Sequence, residues 1–372
     1  MIYFDNAATS YPKPNAVTKE VVRCLNTYCG NPGRSSHRLS LLASEKIYNT
    51  REKICELLNF SQPENVVFTY NATYALNFAI YCEAESNMHI LISDMEHNSV
   101  YRPVYKLKAE GQCDFDIFKS EGNVIENIKA LTKRNTKLLV CTHASNVSGR
   151  ILPVKEIGEY CKNNNIRFIL DASQSVGHIE TDVKKIGCDI LCAPAHKGLF
   201  GMQGAGFALF VNPKNTKEII VGGSGVNSLS PSMPLSLPER LEAGTLSTPA
   251  IASLHAGISF IQEVGIEAIE NREKLLRTLL TERLDSVGAK IYDTEKECSS
   301  TVSFSFEDFA PDKIGSALDE AGICVRSGFH CSPLAHKTLG TYKTGSVRAS
   351  IGYFNTVNEI DAFYKNLKDI IK

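Results

Sequence analysis

The chain has 372 residues, 43% of them hydrophobic and 22% charged, with 40 basic and 41 acidic side chains. That is enough apolar material for a large core, and the length predicts two domains. A formal net charge of −1 without a basic stripe argues against nucleic acid as a partner, and with no run of about 18 apolar residues no membrane-spanning helix is expected.

In chain order, the opening MIYFDNAATS lacks the basic-then-apolar pattern of a secretion signal. Short apolar runs follow at Val66–Phe68, His89–Ile92, Leu138–Cys141, Phe168–Leu170 and Ile190–Cys192, each closed by a polar or glycine-bearing turn. Helical stretches such as Thr73–Tyr81 and Lys155–Asn163 lie between them. This alternation predicts an α/β domain with a mostly parallel sheet, whose chemistry sits at the strands' C-terminal ends. Gly222–Pro238, rich in glycine, serine and proline, predicts a long loop of the kind that serves as a lid or an interface arm. A long helical region, roughly Pro249 to Val287, comes next. Strand-like Ser299–Phe306, a helix near Asp312–Ala321, the segments ICVRSGFHC and VRASIGYF, and a terminal helix form a smaller α+β unit. The 12 cysteines include no CxxC pair and no zinc spacing, which predicts a reducing, cytoplasmic setting with most thiols acting as small buried hydrophobes.

Two polar residues stand where apolar runs end. Asp171 closes IRFIL, and Lys197 follows CDILCAPAH. The plain readings are a turn or cap carboxylate and a solvated ammonium. Placed just past a buried strand, however, an amine has a lowered pKa and suits Schiff-base chemistry. A lysine and an aspartate at the ends of successive strands suit pyridoxal phosphate, the lysine binding its aldehyde and the aspartate holding its ring nitrogen protonated. TYNATYALNFA offers an anion site, with the first backbone N–H groups of a helix at Ala72 and Thr73. Thr73 taken alone reads equally well as an N-cap.

The motifs FDNAATS, NATYALN, MEHNSV, THASNVSG, DASQSVGH, AHKG, EAGT, RSGFHC and VRASIGYFNT occur in that order over nearly the whole chain. By them the sequence resembles the class V aminotransferase family of fold-type I pyridoxal-phosphate enzymes, within it the SufS-like cysteine desulfurase and selenocysteine lyase group. The resemblance implies a large domain of residues 16–247 around a mostly parallel seven-stranded sheet, and a smaller α+β domain of residues 1–15 and 248–372. It implies that Gln174 bonds the ring hydroxyl and that His97 stacks on the ring. Ala72, Thr73 and His196 are implied to hold the phosphate, and Thr245 to reach the phosphate of a second subunit in a homodimer. Asn146 and Arg348 are implied to bind the substrate carboxylate, with Arg326 near the same end.

Cys331 separates a desulfurase from its relatives. It lies in RSGFHCSP, past the strand rather than within it. The resemblance implies that its thiolate takes sulfur from L-cysteine as a persulfide, leaving alanine, while Lys197 shuttles the proton at Cα. His330 and Arg326 are both candidates for favouring the thiolate. The cysteine loop reads as short, so delivery requires an acceptor protein that reaches inward, in routes such as iron–sulfur cluster assembly. Three positions depart from the group's pattern: Pro194 where a phosphate-binding serine is usual, Phe329 for a histidine and Ala72 for a second threonine. Selenocysteine lyase, another class V activity with Cys331 incidental, and a sulfur carrier without turnover remain the competing readings.

Overall fold

The apolar runs fold as strands. In chain order these are β1 (Ile2–Tyr3), β2 (Val66–Thr69), β3 (Met88–Ser93), β4 (Cys113–Phe118), β5 (Thr136–Thr142), β6 (Arg167–Asp171), β7 (Ile190–Pro194), β8 (Gly206–Phe210), β9 (Lys290–Tyr292), β10 (Thr301–Ser305), β11 (Ile323–Cys324), β12 (Arg326–Gly328) and β13 (Ser346–Ser350). The computed structural model describes residues 1–33, 37–214, 216–293 and 297–372. Part of the GRSSHRLS segment, residues 34–36, lies outside them.

Seven strands form the central sheet in the order β2-β8-β7-β6-β5-β3-β4, and β8 alone runs against the rest. Successive residues on a strand point to opposite faces. Leu139 and Cys141 of β5 enter one core with Phe168, Leu170 and Leu191, while Leu138 and Val140 enter the other with Ile169 and Ile190. Both faces are covered, which is why these strands read as unbroken apolar runs rather than alternating ones. Helices Ala72–Glu83 and Asn98–Ala109 cover one face, and Arg38–Leu58, Val154–Asn163 and Thr248–Val264 the other.

The helical region expected over Pro249–Val287 is two helices, Thr248–Val264 and Ile266–Ser286. Gly265, at φ +88°, separates them with a conformation that only glycine adopts readily. The break redirects the chain. Ile251, Leu254, Ile258 and Ile261 before it pack into the central-sheet core, whereas Leu276, Leu280 and Leu284 after it pack with Phe304 and Phe363. That second core is roofed by the antiparallel sheet β12-β13-β10-β9. The N-terminus joins it too, since β1 pairs with β11 and Phe4 is fully buried there. Gly222–Pro238 forms neither helix nor strand, and Leu229 and Leu235 within it are exposed.

Strands β3, β5, β6 and β7 all end at one edge of the sheet, at Ser93, Thr142, Asp171 and Pro194.

Candidate active site

A cavity of about 280 Å³ opens at that edge. Eight residues singled out in the sequence line it: Ala72, Thr73, His97, Asn146, Asp171, Gln174, His196 and Lys197. Asn71, Ser99, Thr142, Ser173 and Pro194 line it as well.

Lys197 enters from the loop after β7. Burial pulls its amine down to about 8, against the attraction of Asp171 and with the repulsion of Arg348 and Arg326. A substantial neutral fraction is therefore present near neutral pH. Asp171 is 3% exposed, and burial raises its carboxyl above the ordinary range. The Ser173 N–H, 3.0 Å from Oδ1, and the nearby Lys197 oppose that rise. A cation placed on this carboxylate would oppose the rise further.

The helix Ala72–Glu83 starts at the opposite wall. Its N-cap is Asn71, not Thr73; the Asn71 side chain accepts from the Tyr74 N–H at 3.1 Å. Among the described residues the Ala72 and Thr73 N–H groups have no acceptor, so they remain free for an anion. Gly206 brings β8 against this turn. A Cβ there would lie 2.6 Å from the Asn71 carbonyl carbon and 3.0 Å from the Ala72 nitrogen. The Thr73 hydroxyl lies 2.8 Å from that of Ser99, which lies 2.8 Å from His97 Nδ1. His97 Nδ1 also accepts the Ser99 N–H at 3.1 Å. That bond makes Nδ1 an acceptor, so the ring proton sits on Nε2. Burial, reinforced by Lys197, drops the His97 imidazole to about 4 and keeps it neutral. Burial likewise lowers His196 to about 4. Gln174 donates to the Ala7 carbonyl at 2.9 Å, leaving its side-chain oxygen available. His143 is buried and lowered to about 4, with Nδ1 unpartnered; its backbone ties Asp171 to the neighbouring loop, as an orienting residue would.

Beneath this floor lies Glu96, fully buried. Its Oε1 accepts the Ser93 hydroxyl and the Thr142 N–H, and Oε2 has no partner. Burial pushes the carboxyl up to about 8, with Asp171 adding to the rise.

Cys331 stands at the mouth, exposed, in the loop Phe329–Ser332 between β12 and the helix Pro333–Thr338. His330 (φ +49°) and Cys331 (φ +61°) are consecutive left-handed residues, an uncommon arrangement without glycine. The loop is gripped from the central-sheet side. Asn146 donates to the His330 carbonyl and accepts from the Ser332 hydroxyl, both at 2.7 Å, and the Asn98 N–H donates to the Cys331 carbonyl at 2.8 Å. The Arg326 guanidinium reaches the Cys331 sulfur at 3.7 Å. His330 does not serve there; it is buried, held well below its ordinary pKa by burial, and bonded through Nε2 to Ser346. Arg348 is 1% exposed, paired with Asp5 and donating to the Asn146 carbonyl at 2.9 Å. It lies behind Asn146 rather than on the cavity wall.

Thr245 is separate. It is exposed and lines a small second cavity with Tyr70, Tyr74 and Ile220. Thr73 is exposed as well, so the anion end of the main cavity is open on one side.

These groups fit pyridoxal phosphate. Free helix N–H groups and hydroxyls face the phosphate end, an amine and a buried carboxylate face the ring, and Gly206 leaves the room they need. Pro194 contributes no donor to that wall. Ser99, Asn71 and Thr142 carried no signal in the sequence, because a serine or asparagine near a helix start is ordinary there.

The chain matches the family described as Aminotransferase class-V over residues 2–363. It is 33% identical over 381 residues to a probable cysteine desulfurase of Methanothermobacter thermautotrophicus, covering 99% of this chain and 94% of that one. A probable cysteine desulfurase of Pyrococcus abyssi is 34% identical over 385 residues, with 100% and 94% covered. The apo structure of a cysteine desulfurase from Thermococcus onnurineus NA1 superposes with a TM-score of 0.91 at 29% identity, covering 100% of this chain and 94% of the other.

Proposed function

From the premise that this chain belongs to the class-V aminotransferase family, we propose that it is a pyridoxal-phosphate-dependent cysteine desulfurase acting through Lys197 and Cys331. The observation that carries the residue assignment is a neutralisable amine and a buried carboxylate on one cavity, with an exposed thiol in a loop bonded to Asn146 of its wall.

Bound pyridoxal phosphate supplies an electron sink for charge developing at the substrate Cα. Lys197 anchors the cofactor and moves a proton between its Nζ and that carbon. Asp171 would keep the ring nitrogen protonated. Gln174 would bond the ring hydroxyl, and His97 would pack on the ring. Ala72, Thr73 and His196 would hold the phosphate, and Thr245 would do so for the partner subunit. Asn146 and Arg348 receive the substrate carboxylate, Arg348 only once its guanidinium turns from Asp5 and the Asn146 carbonyl towards the cavity, with Arg326 nearby. Asn146 must release the cysteine loop to do so, which couples substrate entry to freedom of Cys331.

The Cys331 thiolate attacks the substrate sulfur. An S–S bond forms as the Cβ–S bond breaks, and the electron pair left on the substrate is protonated to give alanine. The persulfide then passes to a thiol of an acceptor protein, which displaces the Cys331 thiolate. The loop Phe329–Ser332 is short, and once Asn146 lets go the Asn98 N–H still holds the Cys331 carbonyl, so the acceptor must reach inward. Iron–sulfur cluster assembly is one route for such sulfur.

The chain divides as domains 16–247 and 1–15 with 248–372, the helix Thr248–Val264 of the second lying along the core of the first. No helix among the described residues is long and apolar enough to cross a membrane. Free cysteines throughout support a cytoplasmic setting, and the open phosphate end supports a homodimer.

The test is sulfide and alanine release from L-cysteine with reductant, measured for the wild type and Cys331→Ala. The wild type should give equal amounts of both, and the variant almost none while keeping its cofactor absorption. A Cys331→Ala protein with undiminished turnover would sink the assignment. Inertness of both on L-cysteine with turnover of L-selenocysteine would move the substrate to the selenium analogue.

A further inference from the structure

The segment after β1 crosses the loop that carries Lys197, and its polar side chains converge on two carbonyls. The His196 carbonyl accepts from the Thr9 hydroxyl at 3.0 Å, the Ser10 N–H at 3.1 Å and Lys13 Nζ at 2.8 Å. The Lys197 carbonyl accepts from the Ser10 hydroxyl at 2.9 Å, and that hydroxyl accepts from Lys13 Nζ at 2.8 Å.

Lys13 is half-buried, and among the described residues it has no carboxylate partner within ion-pair distance. Burial alone lowers its amine to about 8. An unpaired ammonium in such a place is costly unless its hydrogen bonds return something. What it holds is the pair of peptide units on either side of the Lys197 Cα. The far side of the loop has no slack. A Cβ on Gly198 would lie 2.3 Å from the Val176 carbonyl oxygen, and one on Gly177 would lie 2.2 Å from the Gly198 oxygen.

We propose that Lys13 is a positioning residue for Lys197: its ammonium grips the flanking carbonyls, one directly and one through Ser10, and so sets the direction in which the Lys197 amine enters the cavity. The role extends to His196, whose imidazole rides on the same peptide unit. The proposal rests on the reading of Lys197 as the cofactor-anchoring lysine.

The experiment removes pyridoxal phosphate from the holoenzyme, adds it back and follows the return of visible absorption for the wild type, Lys13→Met, Lys13→Arg and Ser10→Ala. A misdirected amine slows the return, by about 10-fold or more for Lys13→Met, since displacements near 1 Å cost up to about 100-fold in comparable reactions. Lys13→Arg should recover part of the rate, and Ser10→Ala, which loses the hydroxyl's bonds to both carbonyls but keeps that of Lys13 to the His196 carbonyl, should fall between. Thermal melts of the apoproteins check folding; if Lys13→Met does not fold, Ser10→Ala and Lys13→Arg carry the test. Return at the wild-type rate in Ser10→Ala and in whichever Lys13 variants fold overturns the proposal. Borohydride reduction of the wild type with peptide mapping keeps the two readings apart. Label on Lys197 with unaffected variants removes only the role of Lys13, and label on another lysine removes both.

Discussion

Arg326 and His330 both flank Cys331, the proposed nucleophile, and their environments separate them. Buried and neutral, His330 can offer Cys331 no charge, whereas the Arg326 guanidinium lies 3.7 Å from the sulfur. A guanidinium at that distance donates to the sulfur and stabilises negative charge on it as it reacts. Arg326→Gln should therefore slow alkylation of Cys331 by iodoacetamide at pH 7, by roughly 3- to 10-fold for a loss of about 1 kcal/mol of charge interaction, with Arg326→Lys in between. Equal alkylation rates in all three proteins would remove Arg326 from this role. At this scale the sequence was most informative where a residue contradicted its surroundings. A carboxylate closing IRFIL and an amine past CDILCAPAH have no packing reason to stand there, and both reach the cavity. Ser99 and Lys13 were silent because a serine two residues into a helix and a lysine in an N-terminal loop contradict nothing. Their partners, His97 and Thr73 in one case and His196 in the other, are fixed only by tertiary structure.

The helix Ala72–Glu83 and β8 meet at a point that tolerates no side chain. Gly206→Ala would drive a Cβ to 2.6 Å from the Asn71 carbonyl carbon, with backbone on both sides and no flexible group to yield. The turn carrying the free Ala72 and Thr73 N–H groups must then move. Overpacking of this kind costs about 1–3 kcal/mol, and the displacement falls on the phosphate end. Gly206→Ala should thus lower the melting temperature and weaken pyridoxal-phosphate retention on desalting, with His97 and Lys197 chemically intact. Retention equal to the wild type would mean that the helix terminus is not the anion site. Strands β2, β3, β5, β6 and β7 were legible from their unbroken apolar runs, which both-face burial requires, whereas the edge strand β4, CDFDIF, mixes in charged residues and was missed. Antiparallel β8 was missed, though GFALF is equally apolar, because it lies past a glycine-rich turn where the strand–helix alternation stops. The break at Gly265 was missed because apolar periodicity continues across it, and one glycine within a helical pattern does not announce a change of packing partner.

Across the whole molecule, two features reach beyond any one element. The first is the proton held under the site. The Glu96 carboxyl is raised to about 8, against about 4.3 in an unfolded chain. The folded state therefore keeps a proton that the unfolded state gives up. The associated stability is complete below about pH 4 and is lost progressively as the pH rises towards 8. Glu96→Gln, which retains an acceptor oxygen for Ser93 and Thr142, should flatten that dependence and melt above the wild type at pH 8. Parallel melting curves for both proteins from pH 5 to 8 would show Glu96 ionised throughout. The second is the proposed division of the site between subunits. Thr73 is exposed at the open phosphate end, Thr245 is exposed elsewhere, and Tyr70, Tyr74 and Ile220 present apolar surface around Thr245. Exposed apolar groups gathered in this way mark an interface. In a symmetric dimer each Thr245 would face the other subunit's phosphate. Thr245→Ala alone should weaken cofactor binding by about 10-fold, the loss of one charge-assisted hydrogen bond. Lys197→Ala alone should bind without the covalent link. Refolded together in equal amounts, the two variants should pair so that half of the dimers contain one intact Lys197–Thr245 site, restoring about a quarter of the wild-type sites. Titration with pyridoxal phosphate would then reveal that tight fraction, which neither parent has. Its absence from a mixture shown by mass to contain mixed dimers would place Thr245 outside the partner's site, and a monomer at every concentration would remove the composite site altogether.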